Sequence, residues 1–197
     1  MWKEAEEFLS NDKYISPLIK KWGSCKIKPI PKSQYFEDLV NAICSQQLSG
    51  AAAETIFGRV ETLLKNITPE NILSTDIEEL RKCGLSYSKC SYVKDLALKT
   101  KSEELKLKSL DKLPDEEIIN ELVSVKGIGR WTAEMFLMFS LARPDIFPVD
   151  DLGIKKGFEK VTGKKWDKIK SAKFAEKHWK PYRTVASWYL WRSLENR

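Results

Sequence analysis

The 197-residue sequence has few of the residues that build covalent or metal frameworks, with four cysteines and one histidine. Cys25, Cys44, Cys83 and Cys90 are too few and too scattered for a disulfide framework. Apolar runs are short, and none approaches the ~20 residues that a bilayer span requires. The charged, amphipathic start lacks the apolar stretch of a secretory signal. These absences predict an intracellular protein, in the cytoplasm, nucleoid or nucleus, with no targeting signal and no membrane partner.

Charge is unevenly distributed along the chain. Lys and Arg total 34 against 28 Asp and Glu, for a net charge of +6. From Leu152 to Arg197 there are 13 basic and 4 acidic residues, a local net charge of +9 that leaves −3 elsewhere. A basic end favours an anionic partner, most simply nucleic acid, while a lysine-rich solvated surface is the alternative interpretation.

Helical periodicity runs through almost the whole sequence, and no segment shows sustained period-two alternation. Apolar residues recur at three- and four-residue spacing over 36–47, and a second helix fits 51–64. Thr68 and Asp76 each precede a helical pattern as capping residues. We therefore predict an all-α protein.

The most informative segment is a glycine-containing turn between two predicted helices. One helix ends near Val123 and the next begins near Arg130. Gly127 and Gly129 permit positive φ and leave backbone N–H groups uncovered, and Ile128 between them suits the groove between the helices. Such a turn before a helix N-terminus can hold an anion, and a DNA phosphate fits. A tight helix–helix turn without a ligand is the alternative.

Two adjacent carboxylates, Asp150 and Asp151, follow Pro148 where another helix is predicted to begin. Asp150 suits the N-cap, with its side chain accepting a backbone N–H. Asp151 then falls in the first turn, where the helix dipole favours the ionised form. Adjacent residues do not share a helix face, so the two are expected to have different roles. An acidic helix start without chemistry is the alternative.

Four segments, taken together and in this order, resemble the helix-hairpin-helix superfamily of DNA glycosylases that includes endonuclease III. They are FEDLVNAICSQQLS at 36–49, LVSVKGIGRWTAEMFLMFSL at 122–141, IFPVDDLGIKKGF at 146–158 and HWKPYRTVASWYLW at 178–191. The last is typical of the DNA-3-methyladenine glycosylase II branch. The resemblance covers roughly residues 5–195. It implies a two-lobed helical fold with an active-site cleft between the lobes.

The implied domain organisation is a single glycosylase unit, 1–197. Lobe A is expected at about 36–143, with the helix-hairpin-helix at about 115–141. Lobe B is expected to join about 1–35 to 144–197. The extra N-terminal α/β domain of some members is expected to be absent, and the protein is expected to be a monomer that binds double-stranded DNA containing damaged bases.

The resemblance implies an enzyme of base excision repair. The reaction is hydrolysis of the N-glycosidic bond of alkylated purines such as 3-methyladenine or 7-methylguanine, leaving an abasic site. Asp151 aligns with the catalytic aspartate of this branch, while the spacing in other branches places Asp150 there. Trp131 stands where backbone-cutting members carry a lysine nucleophile, so no lyase activity is expected. A non-catalytic DNA-binding module and a glycosylase for oxidised or mismatched bases remain the rival interpretations.

The resemblance also implies a base pocket, a wedge for the gap left by a flipped nucleotide, and a grip on the DNA backbone. The pocket residues are Trp131, Met135, Leu152 and Trp191, with Met135 and Leu152 replacing tyrosines of some relatives. The wedge is Gln47 with Leu48, although a polar helix end is the alternative. The DNA-backbone contacts are Lys126, Gly127, Ile128, Gly129, Arg130 and Thr132. From charge alone, Lys155, Lys156 and Arg183 in the basic end are further candidates for phosphate contacts, with the remaining lysines expected to be mostly solvated.

No catalytic metal and no organic cofactor are expected. Iron–sulfur members carry four closely spaced C-terminal cysteines, whereas the last cysteine here is Cys90. Cys83 and Cys90 alone make a poor zinc site. The resemblance allows a monovalent cation at the hairpin carbonyls when DNA is bound. His178 is expected to be structural.

Overall fold

The computed structural model describes residues 1–195. Within that range every regular element is helical and no residue lies in a β-strand, which confirms the predicted all-α class. None of the helices in these residues combines the length and the apolar content that crossing a membrane requires.

The chain forms two compact units. Unit 1 joins Met1–Pro29 to the segment from Leu137 to the end of the described chain, and unit 2 is Ile30–Phe136. Both boundaries fall a few residues before the expected lobe limits near 36 and 143. The helix-hairpin-helix therefore lies in unit 2 up to Phe136, and the acidic pair lies in unit 1.

The elements are short, and local capping explains several of their ends. Thr68 accepts a hydrogen bond from the Asn71 amide, and Asp76 accepts one from the Glu78 amide, as the capping signals predict. The helices are α1 (Lys3–Leu9), α2 (Ser16–Trp22), α3 (Tyr35–Ser45), α4 (Gly50–Leu64), α5 (Pro69–Ser74), α6 (Ile77–Lys82), α7 (Tyr87–Lys101), α8 (Asp115–Val123), α9 (Arg130–Met135), α10 (Leu152–Thr162), α11 (Lys168–Trp179) and α12 (Arg183–Arg192). Short 3₁₀ turns occupy Lys32–Gln34 and Leu107–Lys112, and a π-helical turn, Phe136–Ser140, continues α9.

Unit 2 is built around α3 and α7. Helix α3 packs against α4 and α7, and α5 packs against α7. The apolar face of α3 is buried, as its residue spacing predicts, because burying that stripe supplies the main stabilisation of an amphipathic helix. Its buried residues are Tyr35, Phe36, Leu39, Val40, Ile43 and Cys44.

Unit 1 has an aromatic core centred on Phe158. The Phe158 ring lies edge-on to Trp166 and Phe174, with centroids 5.3 and 5.4 Å apart, and 6.1 Å from Trp179. Trp2 is also buried, and its indole N–H donates to the Ile27 carbonyl at 2.8 Å. Tryptophan in this unit therefore serves packing as well as the site described below.

Two glycines on one face of α10 allow α12 to approach closely. A Cβ at Gly157 would lie 2.5 Å from the Leu190 carbonyl oxygen, and a Cβ at Gly153 would lie 2.6 Å from Cδ1 of Trp191. Residues four apart share a helix face, so this face of α10 receives successive residues of α12. Because neither Gly153 nor Gly157 has a side chain, α12 can lie in direct contact with the backbone of α10.

We predict that Gly157→Ala destabilises the protein by about 1–3 kcal/mol, because the added methyl group overlaps backbone that cannot rotate away. Urea unfolding measures the change. The matched control is Gly58→Ala in α4, where a Cβ would meet nothing within 4 Å. That change should stabilise by up to ~1 kcal/mol through helix propensity. Equal effects of the two substitutions would contradict the packing argument.

Candidate functional site

The acidic pair divides into two roles, as expected, but the assignment of the cap was wrong by one residue. Asp151, not Asp150, is the N-cap of α10, and its Oδ1 accepts the Ile154 amide at 2.8 Å. The reason is a turn in which the Asp151 amide donates to the Pro148 carbonyl, so the helix begins one residue later than predicted. Asp150 is exposed, and its two carboxylate oxygens bind Nζ of Lys168 at 2.6 and 2.9 Å.

Asp151 is also held by a tryptophan from α12. The Trp191 indole N–H donates to the same Oδ1 at 2.8 Å. Gly153 makes this contact possible, because a Cβ there would lie 2.7 Å from the indole nitrogen and 3.0 Å from Oδ1 of Asp151. The carboxylate is therefore fixed by two neutral donors at the positive end of a helix dipole.

Phe139, for which the sequence predicts no role, also contacts this group. Its ring lies 5.7 Å from the Trp191 ring at an interplanar angle of 33°, and it is 41% exposed. Leu152, next to Asp151, is 72% exposed. The position of Phe139 in the sequence, nine residues beyond Arg130, does not indicate a contact with a residue on α12.

Two further predicted pocket residues lie on α9 of unit 2. Trp131 is 44% exposed and Met135, one turn later, is half-buried. Residues four apart lie on the same helix face, so the two side chains share one side of α9. Of the four predicted pocket residues, Trp131 and Met135 lie in unit 2, and Leu152 and Trp191 lie in unit 1.

The hairpin turn uses its two glycines differently. Gly127 has φ +82°, and a Cβ there would lie 2.1 Å from Cδ2 of Tyr92, so both conformation and packing require glycine. Gly129 has φ −92°, and a Cβ there would meet nothing within 4 Å. Only Gly127 therefore uses the positive φ that both were expected to permit. Ile128 is buried at 3% exposure, in agreement with its predicted place between the helices.

The cations of the hairpin are tied to carboxylates of the same unit. The Arg130 guanidinium binds Glu116 at 2.6 and 3.0 Å and Glu134 at 3.1 Å, and it holds the pKa of Glu116 below its ordinary value. The Lys126 ammonium lies 3.8 Å from Oδ1 of Asp95, and the backbone N–H of Lys126 donates to Oδ2 of the same carboxylate at 2.9 Å. Thr132 is buried, so a DNA contact there would have to come from its backbone.

The loop between α3 and α4 carries the predicted wedge. Gln47 is exposed with φ +59°, and Leu48 is 38% exposed. The neighbouring Gln46 donates its side-chain N–H to the Gly127 carbonyl at 2.8 Å. The structure therefore joins the wedge loop to the hairpin turn inside unit 2.

The basic end contains structural as well as exposed cations. Lys155 and Lys156 are exposed on α10. Arg183, in contrast, binds both carboxylate oxygens of Asp145 at 2.7 and 2.9 Å, which explains its position without a phosphate. His178 stacks on Phe174 with centroids 4.2 Å apart, a packing contact of the kind expected for a structural histidine.

These features coincide with a known family. Residues 40–182 match the HhH-GPD superfamily of base excision DNA repair proteins, and the chain belongs to that superfamily, which confirms the predicted resemblance. Two similar proteins are from Schizosaccharomyces pombe. Alkylbase DNA glycosidase-like protein mag2 is 36% identical over 97% of this chain and 93% of its own length. DNA-3-methyladenine glycosylase 1 is 38% identical over 96% of this chain and 86% of its own length.

A solved structure agrees with this membership. The S. pombe 3-methyladenine DNA glycosylase Mag1, in complex with abasic DNA, superposes with a TM-score of 0.82 at 35% sequence identity. The match covers 97% of this chain and 96% of that chain. The helical architecture is therefore that of a DNA glycosylase over nearly the whole length.

We predict that Gly127→Ala weakens DNA binding at least ~10-fold, because the methyl group displaces Tyr92 and the turn that presents the backbone N–H groups. Fluorescence anisotropy with duplex DNA measures the affinity. Gly129→Ala is the control for stability, because its backbone is ordinary and its surroundings are open, so its melting temperature should stay near wild type. An unchanged affinity in Gly127→Ala would contradict the assigned function of the turn.

Proposed function

We propose that this protein is a monofunctional DNA glycosylase that removes alkylated purines, of the 3-methyladenine and 7-methylguanine class, from double-stranded DNA. The observation that carries the proposal is the Asp151 carboxylate, fixed by the Ile154 amide and the Trp191 indole on an aromatic site. Membership of the base excision repair superfamily and relatives named as 3-methyladenine glycosylases support it. The product would be an abasic site.

Asp151 supplies the charge that this reaction needs. Breaking the N-glycosidic bond builds positive charge on the sugar, and a fixed anion stabilises that charge. The same carboxylate can orient or deprotonate the attacking water. A methylated purine already carries positive charge and leaves readily, so little acid catalysis on the base is required.

The aromatic residues suit a cationic base. Trp131, Trp191 and Phe139 offer π faces, and cation–π attraction favours a positively charged purine by about 1–2 kcal/mol over a neutral one. Trp131 cannot act as an amine nucleophile, which supports hydrolysis without backbone cleavage. A glycosylase for oxidised or mismatched bases would use the same carboxylate with a different pocket, and base release across a lesion panel separates the two.

The hairpin and the wedge account for DNA binding. The turn at Gly127 and Gly129 would grip a phosphate through backbone N–H groups, and Gln47 with Leu48 would fill the gap left by the extruded nucleotide. A monovalent cation at the hairpin carbonyls and a monomeric state stay predictions. A non-catalytic DNA-binding module would keep the hairpin but would have no use for Asp151.

We predict that Asp151→Asn slows release of 7-methylguanine from duplex DNA by about 10²–10³-fold, because the developing sugar cation loses its counter-charge. Affinity for the same duplex should stay equal or rise. Single-turnover base release and anisotropy measure the two quantities. The matched control is Asp150→Asn, whose carboxylate binds Lys168 at the surface and which should release base near the wild-type rate. Wild-type release by Asp151→Asn would remove the basis of the enzymatic proposal.

We also predict that Trp191→Phe, which keeps an aromatic face but deletes the N–H, slows single-turnover release ~10-fold. A hydrogen bond to a charged group contributes about 1.5–3 kcal/mol, and losing it leaves the carboxylate free to rotate. Trp188→Phe on the same helix is the control, since Trp188 is a buried packing residue. If the two substitutions slow release equally, the indole contact with Asp151 has no catalytic role.

A further inference from the structure

We propose that helix α7 positions the wedge loop and the hairpin turn relative to each other, with Lys89 as the positioning residue of the wedge loop. The wedge loop is residues 46–49 and the hairpin turn is residues 124–129. The inference rests on the proposed function, because it concerns how the wedge and the phosphate grip are held together. All of its contacts lie within unit 2.

Lys89 holds the start of the wedge loop. Its ammonium donates to the Cys44 carbonyl at 2.7 Å and to the Gln46 carbonyl at 2.7 Å. The last carbonyls of a helix have no partner within the helix, so this cation satisfies the end of α3 at the residue before Gln47. The side chain is half-buried, and desolvation lowers the pKa of the ammonium. The contact is therefore built into the fold and is not a solvated surface charge.

Three further residues of α7 hold the hairpin turn. The Tyr92 ring packs directly beneath Gly127, where no side chain would fit. Asp95 accepts the Lys126 backbone N–H at 2.9 Å. Lys99 donates to the Ser124 carbonyl at 3.0 Å, at the end of α8.

These four residues form one stripe along α7. Lys89, Tyr92, Asp95 and Lys99 follow one another at spacings of three, three and four residues, which is the spacing of a single helix face. The Gln46 side chain closes the arrangement by donating to the Gly127 carbonyl at 2.8 Å. The wedge loop, the hairpin turn and α7 are thus linked pairwise, and the helix fixes the spacing of the two loops.

A fixed spacing has a consequence for base extrusion. The turn would hold the backbone while the wedge enters the duplex, so their separation decides whether the wedge meets the gap. A displacement of about 1 Å in a positioning group can cost ~10²-fold in rate. The cost of extrusion is highest for a fully paired base and lowest for one that is mismatched or unpaired. Loss of the positioning contact should therefore slow release most in fully paired DNA.

Helix α7 contains its own control. Lys94 donates to the carbonyls of Leu73 and Thr75 at 3.3 and 2.7 Å, at the end of α5. It is the same residue type on the same helix with the same kind of partners, but it touches neither loop. Lys89→Met and Lys94→Met therefore remove equivalent helix-end contacts, and only the first removes a contact to the wedge loop.

The test measures single-turnover release of 7-methylguanine from two duplexes, one with the lesion paired with cytosine and one with the lesion opposite an abasic analogue. In Lys89→Met the paired substrate should slow ~10-fold more than the unpaired one. Lys94→Met should slow both equally or not at all, and Lys89→Arg, which can still donate to both carbonyls, should restore the wild-type ratio. Gln46→Met, which deletes the side-chain donor to the Gly127 carbonyl, should shift the ratio in the same direction as Lys89→Met. A wild-type ratio in both Lys89→Met and Gln46→Met overturns the inference.

Amide hydrogen exchange gives a second readout that does not depend on activity. Lys89→Met should accelerate exchange in the wedge loop and in the hairpin turn together, whereas Lys94→Met should accelerate it only near Thr75. Faster exchange confined to the wedge loop would overturn the coupling. Failure of the proposed function is distinguishable, because the wild-type protein would then release no base from either duplex while the exchange experiment would still report on α7.

Discussion

A single carboxylate oxygen links two helices of unit 1. Oδ1 of Asp151 accepts the Ile154 amide and the Trp191 indole N–H, so it caps the start of α10 and holds a residue of α12. An aspartate cap contributes about 1 kcal/mol of stability. The Ile154 amide and the Trp191 indole are both neutral donors, and together they fix the orientation of this carboxylate oxygen. The carboxylate that we propose for the chemistry is thus also the carboxylate that caps the start of α10.

The hydrogen bond between Trp191 and Asp151 explains why α10 contains two glycines. The Trp191 indole can reach Asp151 only if α12 lies close to α10, and the two positions that face α12 are Gly153 and Gly157. Any larger residue at Gly157 would meet the Leu190 carbonyl, one residue before Trp191. Helix packing in unit 1 therefore determines the position of the indole, and the core of aromatic rings around Phe158 supports that packing.

The sequence predicts the helices well because each helix end depends on residues that are close to it in the sequence. Thr68 and Asp76 accept amides two or three residues ahead, and the hairpin helices begin and end close to the predicted positions. The capping signal led to Asp150 instead of Asp151. The two side chains are identical, and only the backbone turn that starts at Pro148 decides which of them caps the helix.

The parts of the site that could not be predicted depend on contacts between distant segments. Gly127 and Gly129 look equivalent in the sequence, and Tyr92, 35 residues earlier, makes only the first indispensable. Arg130 was expected to serve DNA, yet Glu116 and Glu134 bind its guanidinium within the protein. Phe139 gained a role only from its contact with Trp191. In each case the partner is set by helix packing, which residue spacing alone does not determine.

The net charge suggested that the lysines either bind an anionic partner or form a solvated surface. The structure shows a third role. Lysines donate to the carbonyl ends of four helices, since Lys89, Lys94, Lys99 and Lys160 bind the ends of α3, α5, α8 and α12. Short helices expose a high proportion of carbonyls without partners, and a long flexible cation reaches them from a neighbouring helix. Two of these four contacts, at α5 and α12, only end a helix. At α3 and α8 the same contact lies where the chain continues into the wedge loop and the hairpin turn, the two segments that we propose bind DNA.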